Sequence, residues 1–182
     1  NWADSLVIGP GLKLKIDEVE NLMKAVKGID KTIILDAGGF EILNSGFTIE
    51  DFSKDTIFTP HLGELERIIP QFTKDSAEDI NVFSSILKSY LNGRKCIVKG
   101  QPNILFSSEQ EVFLMNHGRP QLATAGTGDV LSGILGTLAA QNYSQVDTMI
   151  FGTWIHAEAG HQYSNQFGEI GMTATDLIQF IQ

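Results

Sequence analysis

Four short apolar runs constrain the fold of this chain more than any other feature. They are Ser5–Gly9 (S-L-V-I-G), Thr32–Asp36 (T-I-I-L-D), Asp55–Thr59 (D-T-I-F-T) and Cys96–Lys99 (C-I-V-K). None alternates apolar with polar residues, as a strand with one wet face would, so each reads as a strand buried on both faces. Their carboxyl ends carry the turn and polar signals: Gly9-Pro10-Gly11, Asp36-Ala37-Gly38-Gly39, Thr59-Pro60-His61 and Lys99-Gly100. Between the runs the period changes to that of a helix. Lys15–Lys27 puts Ile16, Val19, Leu22, Met23 and Val26 on one face, and Ala77–Leu91 does so with Ile80, Phe83, Ile86, Leu87, Tyr90 and Leu91. Leu62–Ile69 predicts a shorter helix. Ile104–Phe106 and Glu111–Leu114 predict an antiparallel pair, and Gly128–Gln141, Asp147–Gln162 and Thr173–Ile181 three further helices. The expected architecture is α/β, with helices on both faces of a mostly parallel sheet. Such sheets bind ligands beyond the carboxyl ends of their strands.

The chain of 182 residues is long enough for one domain with a real core, and no repeat or linker divides it. Its 13 basic and 22 acidic residues leave a net charge of −9, which argues against nucleic-acid binding. A nucleotide is still compatible, because backbone amides can build a local anion site. No apolar run reaches membrane-spanning length. The single cysteine, Cys96, allows no intrachain disulfide and fits a reducing, cytoplasmic setting.

The densest chemical signal is Ala123–Gly136, A-T-A-G-T-G-D-V-L-S-G-I-L-G. A glycine-rich turn feeding a helix presents unpaired N–H groups and the positive end of a dipole, which suits phosphate. Asp129, in the first turn, reads either as a helix-start carboxylate or as a general base beside a bound phosphate. Thr59–Glu64 (T-P-H-L-G-E) also follows a strand and opens a helix. There Glu64 is either another helix-start carboxylate or a group holding a metal-bound water, with His61 facing substrate. Lys99 could meet a phosphate as a point charge. Gly9-Pro10-Gly11-Leu12 lacks the third glycine of a dinucleotide fingerprint. His156 and His161 are five apart, with Glu158 second after the first, so they do not form the zinc-protease helix motif. Neither a P-loop nor a G-x-S-x-G elbow occurs.

In this order the motifs resemble one family, the ribokinase-like ADP- or ATP-dependent NAD(P)H-hydrate dehydratases. The resemblance rests on G-P-G-L at Gly9–Leu12, T-P-H-x-G-E at Thr59–Glu64, V-K-G at Val98–Gly100, the Ala123–Gly133 block and A-T-D-L at Ala174–Leu177. It implies a three-layer ribokinase-like fold, with residues 1–182 as the carboxyl-terminal portion of a larger domain whose first strands precede Asn1. It implies Asp129 as the catalytic base and Gly126, Thr127 and Gly128 as an anion hole. It assigns the nucleotide to Lys99, Gly100, Gln101, Pro102, Asn103 and Gly128, the hydrate to Gly11, His61 and Asp129, and magnesium to Glu64. ADP or ATP is the implied co-substrate with Mg2+. A homo-oligomer and fusion to an epimerase domain are further expectations.

The chain departs from the family pattern at several loops. Lys13 follows G-P-G-L where another glycine is usual, and Gly38 stands where a second aspartate is usual. Asn103 replaces a threonine, and Arg119-Pro120-Gln121 replaces Asn-Pro-Gly. Lys13 and Arg119 put cations where small or neutral residues are usual, open to a phosphate contact or to crowding the substrate. A small-molecule kinase and an inactive nucleotide-binding domain are the alternative functions.

Overall fold

The computed structural model describes residues 2–73, 75–107 and 111–181; Asn1, Lys74, residues 108–110 and Gln182 lie outside the described residues. The chain begins with β1 (Ser5–Ile8), α1 (Ile16–Val26) and β2 (Thr32–Leu35), then α2 (Glu41–Asn44), β3 (Thr56–Phe58) and α3 (Leu62–Ile68). It continues with α4 (Ile80–Leu91), β4 (Lys95–Val98), β5 (Asn103–Phe106) and β6 (Val112–Met115), and closes with α5 (Thr127–Ala140), α6 (Gln145–Phe167) and α7 (Ala174–Ile178). The six strands form one sheet in the order β1-β2-β3-β4-β5-β6. The first four are parallel. β5 and β6 add an antiparallel pair at one edge, as expected.

Strands that pair in sequence order dictate where the helices lie. Each crossover from β1 to β4 returns to the neighbouring strand, and a right-handed crossover always lands on the same face. α1 to α4 accordingly share one face, where Val19, Met23, Ile42, Leu65, Phe83 and Leu87 pack with Ile33, Leu35 and Phe58. The opposite face is left for the helices after the hairpin to cover. There Leu131 and Leu135 of α5 and Met149 of α6 pack on Ile34, Ile57, Ile97 and Leu105. Successive residues of β2 therefore enter different cores, which is why these strands carry no polar alternation. The result is the three-layer α/β/α arrangement.

The structure moves several element ends. α4 starts at Ile80 rather than Ala77, because Asp79 caps it by accepting from the Asn81 and Val82 N–H groups at 2.8 and 3.4 Å. α6 is longer than Asp147–Gln162, starting from the Ser144 cap and stopping at Gly168. The last helix shrinks to Ala174–Ile178; Thr173 is its cap, and the reciprocal bonds with Asp176 are made as the spacing predicts. Ile16 and Ile80, the first residues of their helices, stay exposed rather than joining the apolar faces. The short α2 carried no periodic signal. No described helix is long and apolar enough to cross a membrane.

The turns after β1 and β2 interlock. Leu12 N–H donates to the Gly9 carbonyl at 2.9 Å, and Gly39 N–H donates to the Asp36 carbonyl at 2.8 Å. A side chain at position 38 would set its Cβ 2.1 Å from the Leu12 carbonyl oxygen. Close backbone approach thus accounts for Gly38 where the family pattern has an aspartate. Gly38→Ala should destabilise the chain by about 1–3 kcal/mol, as forced overpacking does. Urea unfolding checks this; an unchanged midpoint would refute the interlock.

Candidate active site

The amino end of α5 is held by its own turn. Gly126 has φ 87° and ψ −13°, a left-handed conformation that glycine adopts without a Cβ penalty. Thr127 Oγ1 donates to the carbonyls of Leu122 and Thr124 at 2.5 and 2.7 Å. His156, from α6, donates through Nε2 to the Thr127 carbonyl at 2.8 Å. Two donors remain: among the described residues, the N–H groups of Gly128 and Asp129 have no backbone partner. They stand at the positive end of a 14-residue helix, the arrangement that attracts phosphate.

Beside that end lies a buried ion pair. Asp36, at the carboxyl end of β2, is fully buried. Its Oδ1 accepts from Lys99 Nζ at 2.6 Å and its Oδ2 from Ser132 Oγ of α5 at 2.7 Å. A buried carboxylate needs such partners, since its desolvation is otherwise uncompensated. Lys99 is tied down as well, its N–H donating to the Pro60 carbonyl at 2.8 Å. Its ammonium lies 4.0 Å from Glu64 Oε2, and a Cβ on Gly128 would be 3.4 Å from it. β2, β3, β4 and α5 thus converge on one charge.

His61 and Glu64 open α3 as a reciprocal cap. Glu64 N–H donates to His61 Nδ1 at 3.2 Å, and His61 N–H to Glu64 Oε2 at 2.7 Å. Glu64 is buried, while the His61 side chain is half exposed. The helix-start reading of Glu64 is therefore realised, and one carboxylate oxygen is committed to it. No described cluster of three His, Cys, Asp or Glu could hold a metal ion.

A cavity of about 430 Å³ gathers most of the residues singled out in the sequence. His61, Lys99, Gly100, Gln101, Asn103, Thr127 and Gly128 all line it. Asn103 Oδ1 accepts from the Gly100 N–H at 3.0 Å and fixes that turn. Pro102 sits in the same turn without lining the cavity. Gly126 and Asp129 line a different space, an apolar groove of about 850 Å³ between α5 and α7. The α5 end is thus a partition, with Gly128 on one side and the exposed Asp129 on the other. Glu64 borders a third, smaller hollow with Gly38 and Arg67. Gly11 is exposed and lines none of these spaces.

Asp36, Ser132 and His156 had no role in the sequence reading. The usable signal for Asp36 was an ionisable residue ending an apolar strand, a place where burial demands a partner. His156 and His161 do diverge around α6: His156 points inward to Thr127, and His161 meets Arg119 at the surface.

A family model described as NAD(P)H-hydrate dehydratase matches residues 1–182. The bifunctional NAD(P)H-hydrate repair enzyme Nnr of Dictyoglomus turgidum is 30% identical over 98% of this chain and 34% of its own length. An ADP-dependent (S)-NAD(P)H-hydrate dehydratase of Lactococcus lactis is 30% identical over 85% of this chain and 55% of its own. The fold is similar to that of the Bacillus subtilis ADP/ATP-dependent NAD(P)H-hydrate dehydratase co-crystallised with ATP/Mg2+, with a TM-score of 0.83 and 21% identity, covering 98% of this chain and 62% of that one. The chain spans about a third of the length of the bifunctional relatives it matches.

Burial holds His156 neutral, lowering its pKa to about 4; the Thr127 carbonyl opposes the shift, and Lys99 adds to it. The unfolded chain takes up this proton near pH 6.5 and the folded chain only near 4. The histidine's contribution is therefore whole above pH 6.5 and is lost as pH falls towards 4, a change of about 3 kcal/mol. Urea unfolding across that window should show wild type losing that much more stability than His156→Gln. Parallel curves would contradict the assignment.

Proposed function

The chain belongs to the NAD(P)H-hydrate dehydratase family, and from that premise we propose that it uses ADP or ATP to dehydrate hydrated NADH or NADPH. The observation that carries this reading is the α5 end, where the N–H groups of Gly128 and Asp129 have no backbone partner among the described residues and Asp129 sits in the first turn. The names of the relatives support the substrates. The share of each relative that the chain covers supports residues 1–182 being a portion of a larger ribokinase-like domain, and the bifunctional name supports a second repair activity in the same polypeptide.

In this reading the nucleotide occupies the cavity lined by Lys99, Gly100, Gln101, Asn103 and Gly128. Its terminal phosphate rests on the α5 end, where fixed N–H dipoles stabilise charge that develops in transfer. The hydrate reaches Asp129 from the α5–α7 groove; His61, which the resemblance assigns to the hydrate, lines the nucleotide cavity instead, and Gly11 lines neither space. Asp129 takes the proton of the substrate hydroxyl as that oxygen bonds to phosphorus. The phosphorus–oxygen bond to the nucleotide breaks, and the shortened nucleotide keeps the electron pair. Hydroxide is a poor leaving group, and its phosphate ester is a good one. The carbon–oxygen bond then breaks, inorganic phosphate leaves, and loss of a proton from the neighbouring ring carbon restores the double bond.

Magnesium fits the donor set. A single protein carboxylate suits Mg2+, which keeps several waters and takes further oxygens from phosphates. Glu64 is that carboxylate, with Oε1 free of hydrogen bonds among the described residues. When bound, the ion would neutralise phosphate oxygens. The chain's own residues orient the nucleotide and move the proton.

The test is to supply hydrated NADH with ADP or ATP and magnesium, and follow recovery of dihydronicotinamide absorbance together with released phosphate. Both should rise together and depend on nucleotide. A phosphorylated product that persists would favour the small-molecule kinase instead. Asp129→Asn should lower turnover about 100-fold or more, as loss of a general base does, with ADP affinity kept. Wild-type turnover in that variant would remove Asp129 from the mechanism.

A further inference from the structure

The strip 117–121 is stapled to α6 through alternate side chains. His117 Nε2 lies 3.0 Å from Glu158 Oε2, and its ring stacks on Trp154. Arg119 Nε and Nη2 donate to His161 Nδ1 at 3.1 and 2.8 Å. Gln121 Nε2 donates to the Gly160 carbonyl at 3.0 Å and to Ser164 Oγ. Backbone at Arg119 is extended, φ −122° and ψ 151°, between a turn at 116–117 and a 3-10 turn at Pro120–Ala123, and all three side chains meet α6. The strip is anchored on its other side too, where Gln101 Nε2 donates to the Gly118 carbonyl at 2.9 Å. It forms one wall of the cavity that holds Lys99 and Gly128.

Two permanent cations line that cavity, Lys99 and Arg119. The Lys99 charge is already compensated by Asp36. Arg119 has no carboxylate partner among the described residues. Its acceptor is an imidazole nitrogen, which carries no charge when it accepts. Nη1 and the second hydrogen of Nη2 are left unengaged, and a guanidinium fork matches the oxygens of a phosphate.

We propose that Arg119 contacts a phosphate of the nucleotide and that His161 is the residue that positions it. This rests on the reading of the cavity as the nucleotide site. The staple holds the guanidinium in place before the nucleotide arrives, so less side-chain freedom is lost on binding. Arg119 thereby supplies the positive charge that Asp36 withdraws from Lys99.

Calorimetric titration with ADP and, separately, adenosine tests this on wild type, Arg119→Gln, Arg119→Lys and His161→Ala. Arg119→Gln should weaken ADP about 10- to 100-fold, the range for a hydrogen bond to a charged group, and leave adenosine unchanged. Arg119→Lys should fall between, and it carries the test if Arg119→Gln loses its cooperative melting. His161→Ala should weaken ADP by less than Arg119→Gln, and should cost nothing further in the Arg119→Gln background. His161→Gln, which keeps an acceptor, should restore ADP affinity. Equal weakening of ADP and adenosine would make the strip a structural wall only, and unchanged ADP affinity would remove Arg119 from the site; either overturns the proposal alone. Wild type that binds neither ADP nor adenosine would overturn the nucleotide reading beneath it. A further loss from His161→Ala in the Arg119→Gln background would overturn the positioning role.

Discussion

The buried pair between Asp36 and Lys99 is the interaction on which the rest of this structure depends. Removing the Lys99 charge would leave the buried Asp36 carboxylate without a cation, which costs about 3–5 kcal/mol in buried sites. The second carboxylate oxygen of Asp36 binds Ser132 of α5. One side chain therefore fixes the relation between the parallel strands, packed from one face by α1 to α4, and the helix that covers the other. The glycine turns around Asp36 follow from this crowding. So does the position of the α5 end, where Gly128 stands next to the Lys99 ammonium.

This arrangement has an electrostatic consequence. Asp36, Glu64 and Asp129 bring three carboxylates near a site assigned to a polyanion, and Lys99 is shared with the first two. Helix dipoles and backbone amides attract phosphate without adding net charge. In the proposed reading the remaining balance falls to a divalent cation at Glu64 and to Arg119 on the wall of the nucleotide cavity. The chain's acidic composition, with a net charge of −9, is compatible with such a site because the local field is set by oriented groups.

Much of this was legible in the sequence, for local reasons. Continuous apolar runs disclosed strands buried on both faces, and the glycines around Thr127 disclosed the tight turn that opens α5. The spacing of His61 and Glu64, and of Thr173 and Asp176, disclosed caps. Contacts of long range were not legible. Asp36 and Ser132 are 96 residues apart, and Arg119 and His161 are 42 apart, and no local pattern joins them. The partition between Gly128 and Asp129 depends on how α7 folds back on α5, a contact that joins the Ala123–Gly133 block to A-T-D-L across the length of α6 and that no local pattern discloses. Lys13, which the sequence marked as a departure, is exposed, and nothing in the structure explains it.

A double-mutant cycle on Asp36→Asn and Lys99→Met, read by urea unfolding at neutral pH, tests the central interaction most directly. The account predicts that the double variant is more stable than the two single losses would sum to, with a coupling of about 2 kcal/mol or more. Single losses that add to within about 0.5 kcal/mol would show that the two charges do not hold the sheet and α5 together.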